Sequence, residues 1–230
     1  VYRDVEDTRQ CLNSALPDIL GDVRATLILV NDASPDAEML EMLRATQAAH
    51  PTKVELIDNP VNLGFVKSVN KGMQVNEEAD VLLLNSDVIL PKTWLSRMRA
   101  EAYAEKAVAT VTPLSNNTTI CTFPDFLQDN GPPMGLSVDQ IDEAFQDHRL
   151  APIEAPTGIG FCMFIRREAI DAVGYFDEQR FGRGYGEEND FCQKVLQHGF
   201  KNLITPNLYV FHKGGVSFGG DKAALVENAQ

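Results

Sequence analysis

The run ADVLLLNSD, from Ala79 to Asp87, constrains the fold more than any other stretch of this chain. Successive side chains of a strand point to opposite faces. An unbroken apolar run that ends in polar residues therefore predicts a strand buried on both sides. ATLILVND (Ala25 to Asp32) and KVELIDN (Lys53 to Asn59) have the same form. Helical patterns separate these runs. Ser34 and Pro35 open one that continues to about Ala49, with Ser34 as N-cap and Pro35 in the first turn. A second spans about Gly64 to Asn76 and a third begins at Pro91, before the strand AVATVTP (Ala107 to Pro113). Residues 5–16 form a leading helix with Val5, Leu12, Ala15 and Leu16 on its inner face. Alternation at this spacing predicts an α/β fold with a mostly parallel central sheet flanked by helices. Ligands of such sheets gather at the carboxyl ends of the strands, where Asp32, Asn59 and Asp87 fall.

The pattern loosens from Leu114 to about Pro156, a proline-containing stretch interrupted by one helix, about Ser137 to Asp147. An insertion of that length reads as a lid, a binding loop or a partly mobile segment. GFCMFIRREAI then predicts a strand running into a short helix at Arg166. The glycine-rich FGRGYGEEND leads into a helix ending near His198, KNLITPNLYVFH reads as a strand or hairpin, and residues from Lys213 read as a flexible tail.

Lys plus Arg number 20 and Asp plus Glu 33, a formal charge of −13, which repels phosphate backbones and excludes general nucleic-acid binding. Cys11, Cys121, Cys162 and Cys192 are far apart and form no CxxC pair, so neither a disulfide framework nor a zinc site is expected, and a reducing compartment is the simpler reading. No apolar run approaches the roughly 20 residues that span a bilayer, and no signal peptide is visible. Gly158 and Gly160 precede a strand and not a helix, so no dinucleotide or P-loop fingerprint is present.

Asp87 is the leading candidate for chemistry. A carboxylate at the tip of a buried strand is held still, and a hard cation takes one or two protein oxygens with the rest from phosphate and water. Capping of the next turn is the alternative. Asp32 could accept a hydrogen bond from a base or ribose, or simply serve its turn. Glu187, Glu188 and Asp190 open a helix, where carboxylates complement the dipole. The same position suits a general base, and glycines 182, 184 and 186 would let a sugar approach the backbone. His212 ends LYVFH and is either a metal ligand or a structural imidazole. Lys213, Arg183 and Arg180 face either phosphate or solvent.

Taken in order, VNDASPD, NLGFVKSVNKG, LLLNSDVILPKTWL, GFCMFIRREAI, VGYFDE, FGRGYGEENDFCQKV and VFHKGG resemble the family 2 glycosyltransferases of the A-type (GT-A) fold, over about residues 1 to 220. The flavour is that of the bacterial rhamnosyltransferase-like branch. The resemblance implies a single catalytic domain over 1–220, with a nucleotide-binding half (1–112), a sugar- and acceptor-binding half (113–220) and a tail at 221–230. Asp32 resembles the aspartate that contacts the nucleotide base, and Tyr2 lines the same pocket. Asn62, Asn85 and Ser86 fall on the donor side. Asp87 resembles the last aspartate of the Asp-x-Asp metal motif, whose first position is here Asn85, a departure that removes one charged ligand. His212 resembles the histidine completing the metal site. Glu188 matches the catalytic base, and Glu187 the acid before it. The family begins with a buried strand ending P-V-Y, and this chain begins V-Y, so that first strand is expected to be largely missing.

What the resemblance implies is inverting, single-displacement transfer of a sugar from a nucleotide-diphosphate donor, with Mn²⁺ or Mg²⁺ as cofactor. The acceptor would be a glycan or lipid-linked hydroxyl in bacterial polysaccharide or glycan synthesis. The expected setting is cytoplasmic, compatible with peripheral association at the inner face of the membrane. The alternatives are a non-catalytic nucleotide-sugar or glycan-binding domain of the same fold, a nucleotidyltransferase and a pure interaction module. RDVEDTR after Tyr2 lacks the glycine-rich loop that a nucleotidyltransferase wants, and acids gathered at strand ends are hard to explain in an interaction module.

Overall fold

The computed structural model describes residues 1–132, 135–148 and 150–214; the tail expected at 221–230 lies outside them. In chain order the elements are α1 (Val5–Gly21), β1 (Leu27–Asn31), α2 (Ala37–Ala49), β2 (Val54–Asp58), α3 (Phe65–Met73), β3 (Val81–Leu84), β4 (Val88–Ile89) and α4 (Trp94–Ala102). They continue with β5 (Val108–Ser115), α5 (Val138–His148), β6 (Ile153–Ala155), β7 (Cys162–Ile165), α6 (Arg167–Val173), α7 (Glu178–Phe181), α8 (Glu187–Gln197) and β8 (Lys201–His212).

The expected α/β architecture is present, but the pairing is mixed where mostly parallel pairing was expected. β1 and β2 run parallel, as do β5 and β8; β3–β7, β5–β7, β4–β8 and β6–β8 are antiparallel. The alternating strands and helices of the first half predict parallel neighbours only while each crossover is a helix. β7 instead arrives after the long excursion from Asn116 and inserts antiparallel between β3 and β5.

Two sheets result: β1–β2, and a larger one ordered β3-β7-β5-β8-β4 with β6 on β8. β1 and β3 both line one cavity of about 1960 Å³. Val1 flanks β1, its ammonium donating to Val30 O at 2.6 Å and its carbonyl accepting from Asp32 N–H at 2.9 Å.

Helix α1 bridges the two sheets. Its Leu12 packs with Leu29, Met39, Leu43 and Val54 beside β1–β2, while Cys11, Ala15 and Ile19 pack with Trp94, Met98 and Val111 under the larger sheet. It also outruns the expected end at Leu16 and passes through Pro17 to Gly21. That last turn is held from outside: Ile19 is buried, and Asp18 accepts the N–H groups of Thr93 and Leu95 (3.3 and 3.2 Å), so it caps α4. Helix α2 starts at Ala37, later than expected, because Asp36 and not Ser34 is its N-cap and accepts Glu38 N–H at 3.0 Å. The apolar run through Asp87 is not one strand either. Its pairing with β7 ends at Asn85, whose N–H donates to Phe161 O (2.8 Å) in the same register, and after the turn β4 pairs with the end of β8. Asp87 therefore sits in the turn between strands with different neighbours.

Candidate active site

The tips of β1, β3 and β8 and the start of α8 supply the site. Tyr2, Asp32, Asn62, Asn85, Ser86 and Asp87 line the cavity between the sheets. Glu187, Glu188 and His212 line it as well, so these candidates for donor, metal and base open onto one space, whereas Asp190 does not line it.

Asp87 and His212 meet at its floor. Asp87 is 6% exposed. Its Oδ2 accepts Gly214 N–H at 3.1 Å, while its buried Oδ1 has no hydrogen-bond partner among the described residues. His212 Nε2 lies 3.4 Å from that oxygen. His212 Nδ1 lies 2.7 Å from Asn117 O. A carbonyl can only accept, so Nδ1 carries a proton, and in the neutral ring Nε2 presents its lone pair. Nε2 accepts a long contact from Asn85 Nδ2 at 3.4 Å, and the Phe161 ring stacks on the imidazole with centroids 5.1 Å apart. An orphaned carboxylate oxygen facing an imidazole lone pair is a donor set that suits a divalent cation. Among the described residues no group of three or more His, Cys, Asp or Glu is assembled, so this chain's ionisable contribution there is the pair.

Glu187 and Glu188 open α8 behind Gly186, whose φ of 99° turns the glycine loop into the helix. Glu187 is 2% exposed and its Oε2 has no hydrogen-bond partner among the described residues. Burial, the neighbouring Glu188 charge and a hydrogen bond between the two carboxyls push Glu187 up to about 8. Burial raises Glu188 as well, but that same hydrogen bond and one from Gly160 N–H favour its ionised form. Both carboxyls are thus held above the ordinary carboxylate range, and they titrate as a pair that shares a hydrogen bond. Gly160 is needed for this contact, because a Cβ there would collide with Glu188 Oε1 and lie 3.2 Å from its Cδ.

Asp32 does visible structural work. Its Oδ1 accepts from Asn59 Nδ2 (3.0 Å) and Leu63 N–H (2.8 Å), and its Oδ2 from Gly64 N–H (2.9 Å). It thus braces the loop carrying Asn62. Gly64, at φ 84°, lies against the glycine loop of α8: a Cβ there would be 3.0 Å from Arg183 Cα, and Phe65 N–H donates to Arg183 O at 3.2 Å. The tip of β1 and the acidic pair are tied together through these two loops.

The model of glycosyl transferase family 2 matches residues 1–174. The chain belongs to that family. Like this family 2 chain, the N-acetylglucosaminyl-diphospho-decaprenol L-rhamnosyltransferase of Mycobacterium tuberculosis carries an 83-residue stretch at 35% identity, covering 35% of this chain and 26% of that one. Polypeptide N-acetylgalactosaminyltransferase 4 of Caenorhabditis elegans is 26% identical over 204 residues, 81% of this chain and 32% of that protein. The family 2 chain thus spans about a quarter to a third of the length of these relatives. Its fold is GT-A, shared with a mannosyltransferase from Pyrobaculum calidifontis in complex with GDP-Man and Mn²⁺ (TM-score 0.65, 15% identity, 100% of this chain and 59% of that one). GalNAc-T7 with UDP, GalNAc and Mn²⁺ shares it too (TM-score 0.64, 18% identity, 84% and 38%).

Several functional neighbours in this family 2 domain escape sequence reading. Gly160 sits in GIGF, a motif noted only for failing the dinucleotide pattern; its close approach to Glu188 is set by folding. Asn116 and Asn117, which hold His212, lie in the stretch read as an insertion. Their one signal is a pair of amides directly after a buried strand, in PLSNN. Arg183, of the candidate cations, lines the cavity, whereas Lys213 is paired with Asp7 at 2.6 Å and Arg180 with Asp190 at 3.1 Å.

Proposed function

We propose that the domain transfers a sugar, with inversion, from a nucleoside-diphosphate donor to an acceptor hydroxyl. The observation that carries this reading is the single cavity onto which Asp87, His212, Glu187 and Glu188 all open, from the β3–β4 turn, β8 and α8. Glu188 takes the proton of the acceptor hydroxyl as that oxygen attacks the anomeric carbon and the nucleoside diphosphate leaves from the opposite face. The hydrogen bond between the two carboxyls supports a division of roles, with Glu187 orienting Glu188 as the base. Asp87 and His212 would hold Mn²⁺ or Mg²⁺, which supplies positive charge against the leaving diphosphate. Tyr2, Asp32, Asn62, Asn85 and Ser86 bind the donor from residues 1–112, and residues 113–220 receive the sugar and the acceptor. The name of the rhamnosyltransferase relative supports a glycan or lipid-linked acceptor in bacterial glycan synthesis. No helix of the described residues is long and apolar enough to cross a bilayer.

Thermal-shift titration of nucleoside-diphosphate sugars with and without Mn²⁺ tests the donor and cation together, since a ligand of the folded state raises the melting temperature. Asp87→Ala is expected to abolish the Mn²⁺-dependent shift; an unchanged shift overturns the cation assignment. Glu188→Gln is expected to keep the shift and lower turnover by at least about a hundredfold. Asn85 in place of an acid favours one second reading, a domain that binds nucleotide sugar without turning it over. Release of nucleoside diphosphate from a donor panel separates the two.

A further inference from the structure

His212 reaches Asp87 with a ring that is already oriented, and the orientation comes from outside the strand that carries it. Asn116 is 2% exposed. Its Oδ1 accepts His212 N–H at 2.7 Å, and its Nδ2 donates to His212 O at 2.9 Å and to Asn130 O at 3.1 Å. One amide thus grips both main-chain polar groups of His212 and ties them to the loop beyond β5. Asn130 answers from the other side, its N–H and Nδ2 both donating to Asn116 O at 3.0 and 3.2 Å. The next residue, Asn117, offers its main-chain carbonyl to His212 Nδ1 at 2.7 Å, and its side chain donates to Lys213 O at 2.9 Å.

We propose that Asn116 is a positioning residue for the cation site. By fixing the His212 backbone against the 116–130 loop, it holds Asn117 O on Nδ1, so that the ring stays in the tautomer whose Nε2 faces Asp87. This deepens the function proposed above and rests on its assignment of His212 to the cation. The chemistry is that of a ligating histidine whose second nitrogen is held by an outer partner. Loss of such a partner typically weakens metal binding about 10- to 100-fold. Only Asn or Gln combines an acceptor with two donors on one planar group, and the shorter Asn matches the span here. Asp keeps the acceptor but loses both donors; Ala loses all three bonds.

The test uses the whole 230-residue chain with ¹⁵N-labelled histidine at roughly pH 8, above the ordinary imidazole pKa of about 6.5. The two ring-nitrogen shifts of His212, assigned by their loss in His212→Ala, report the tautomer. Mn²⁺ affinity is read separately from the electron-spin resonance of free Mn²⁺. The expected results are a protonated Nδ1 in the parent chain, a mixed or reversed tautomer in Asn116→Ala and Asn116→Asp, and Mn²⁺ binding at least about tenfold weaker in both variants. A parent chain with Nε2 protonated overturns the proposal without any variant having to fold. So does a folded Asn116→Ala that keeps the parent tautomer. His212→Ala separates this from the cation assignment: if it leaves Mn²⁺ affinity unchanged, His212 is not a ligand and that assignment fails. The tautomer in the Asn116 variants then decides the positioning role alone.

Discussion

At the scale of single residues, burial acts most visibly on the acidic pair Glu187 and Glu188. Glu187 gives the sharpest consequence. Its carboxyl is raised from an ordinary value near 4.5 to about 8, so between these values the folded chain binds a proton that the unfolded chain has lost. Stability therefore falls as pH rises through that window. Glu187→Gln keeps a neutral hydrogen-bond donor and removes the titration. It is expected to flatten the dependence of melting temperature on pH between about 5 and 8 and to raise the melting temperature at the upper end. Equal slopes in parent and variant would show that Glu187 is ionised throughout. Asp87 and Glu188 were legible in the sequence because a rigid strand tip and a helix start following glycines each constrain where one side chain points. Asn116 was not, because nothing local distinguishes an amide that grips a distant strand from one that faces water.

At the scale of elements, strands and helices followed from apolar periodicity, while their limits depended on partners far away in the chain. Pro17 signals an end to α1 that Ile19 and Asp18 override by burial and by capping α4. The Ala79–Asp87 run hides the break after Asn85, since the change of partner from β7 to β8 is invisible in its composition. Helix α5 shows how such a distant contact fixes an element. Asp142, 1% exposed, accepts Arg97 Nη2 at 2.6 Å, Tyr209 N–H at 2.9 Å and Gln146 Nε2 at 2.8 Å, joining α5 to α4 and β8. Phe145 adds a ring stacked on Tyr209 at 5.9 Å. Asp142→Ala leaves Arg97 without its charge partner in a largely buried position and is expected to cost about 3 kcal/mol in urea unfolding, the lower end for breaking a buried pair. A loss below about 1 kcal/mol, the value of an exposed pair, would mean that the contact is solvated.

At the scale of the molecule, the α/β class could be read from the alternation of elements, but the mixed sheet could not. The direction of β7 is decided by the path from Asn116 to Phe161, whose one legible element, α5, does not set it. The division into β1–β2 and a larger sheet predicts two levels of stability. Amides of β1 and β2 are expected to exchange through a lower-energy opening than those of β5 and β8, which lie at the centre of the larger sheet and are almost wholly buried. Native-state hydrogen exchange measures this, and a single common opening energy would contradict it. The same division bears on ligand recognition. Asp32 follows β1 and Asp87 lies in the β3–β4 turn, in different sheets, and no shared ladder sets the distance between them. A nucleotide with its base at one and its diphosphate at the other acts as a gauge laid across a seam: the molecule it measures is also the rivet that closes the joint.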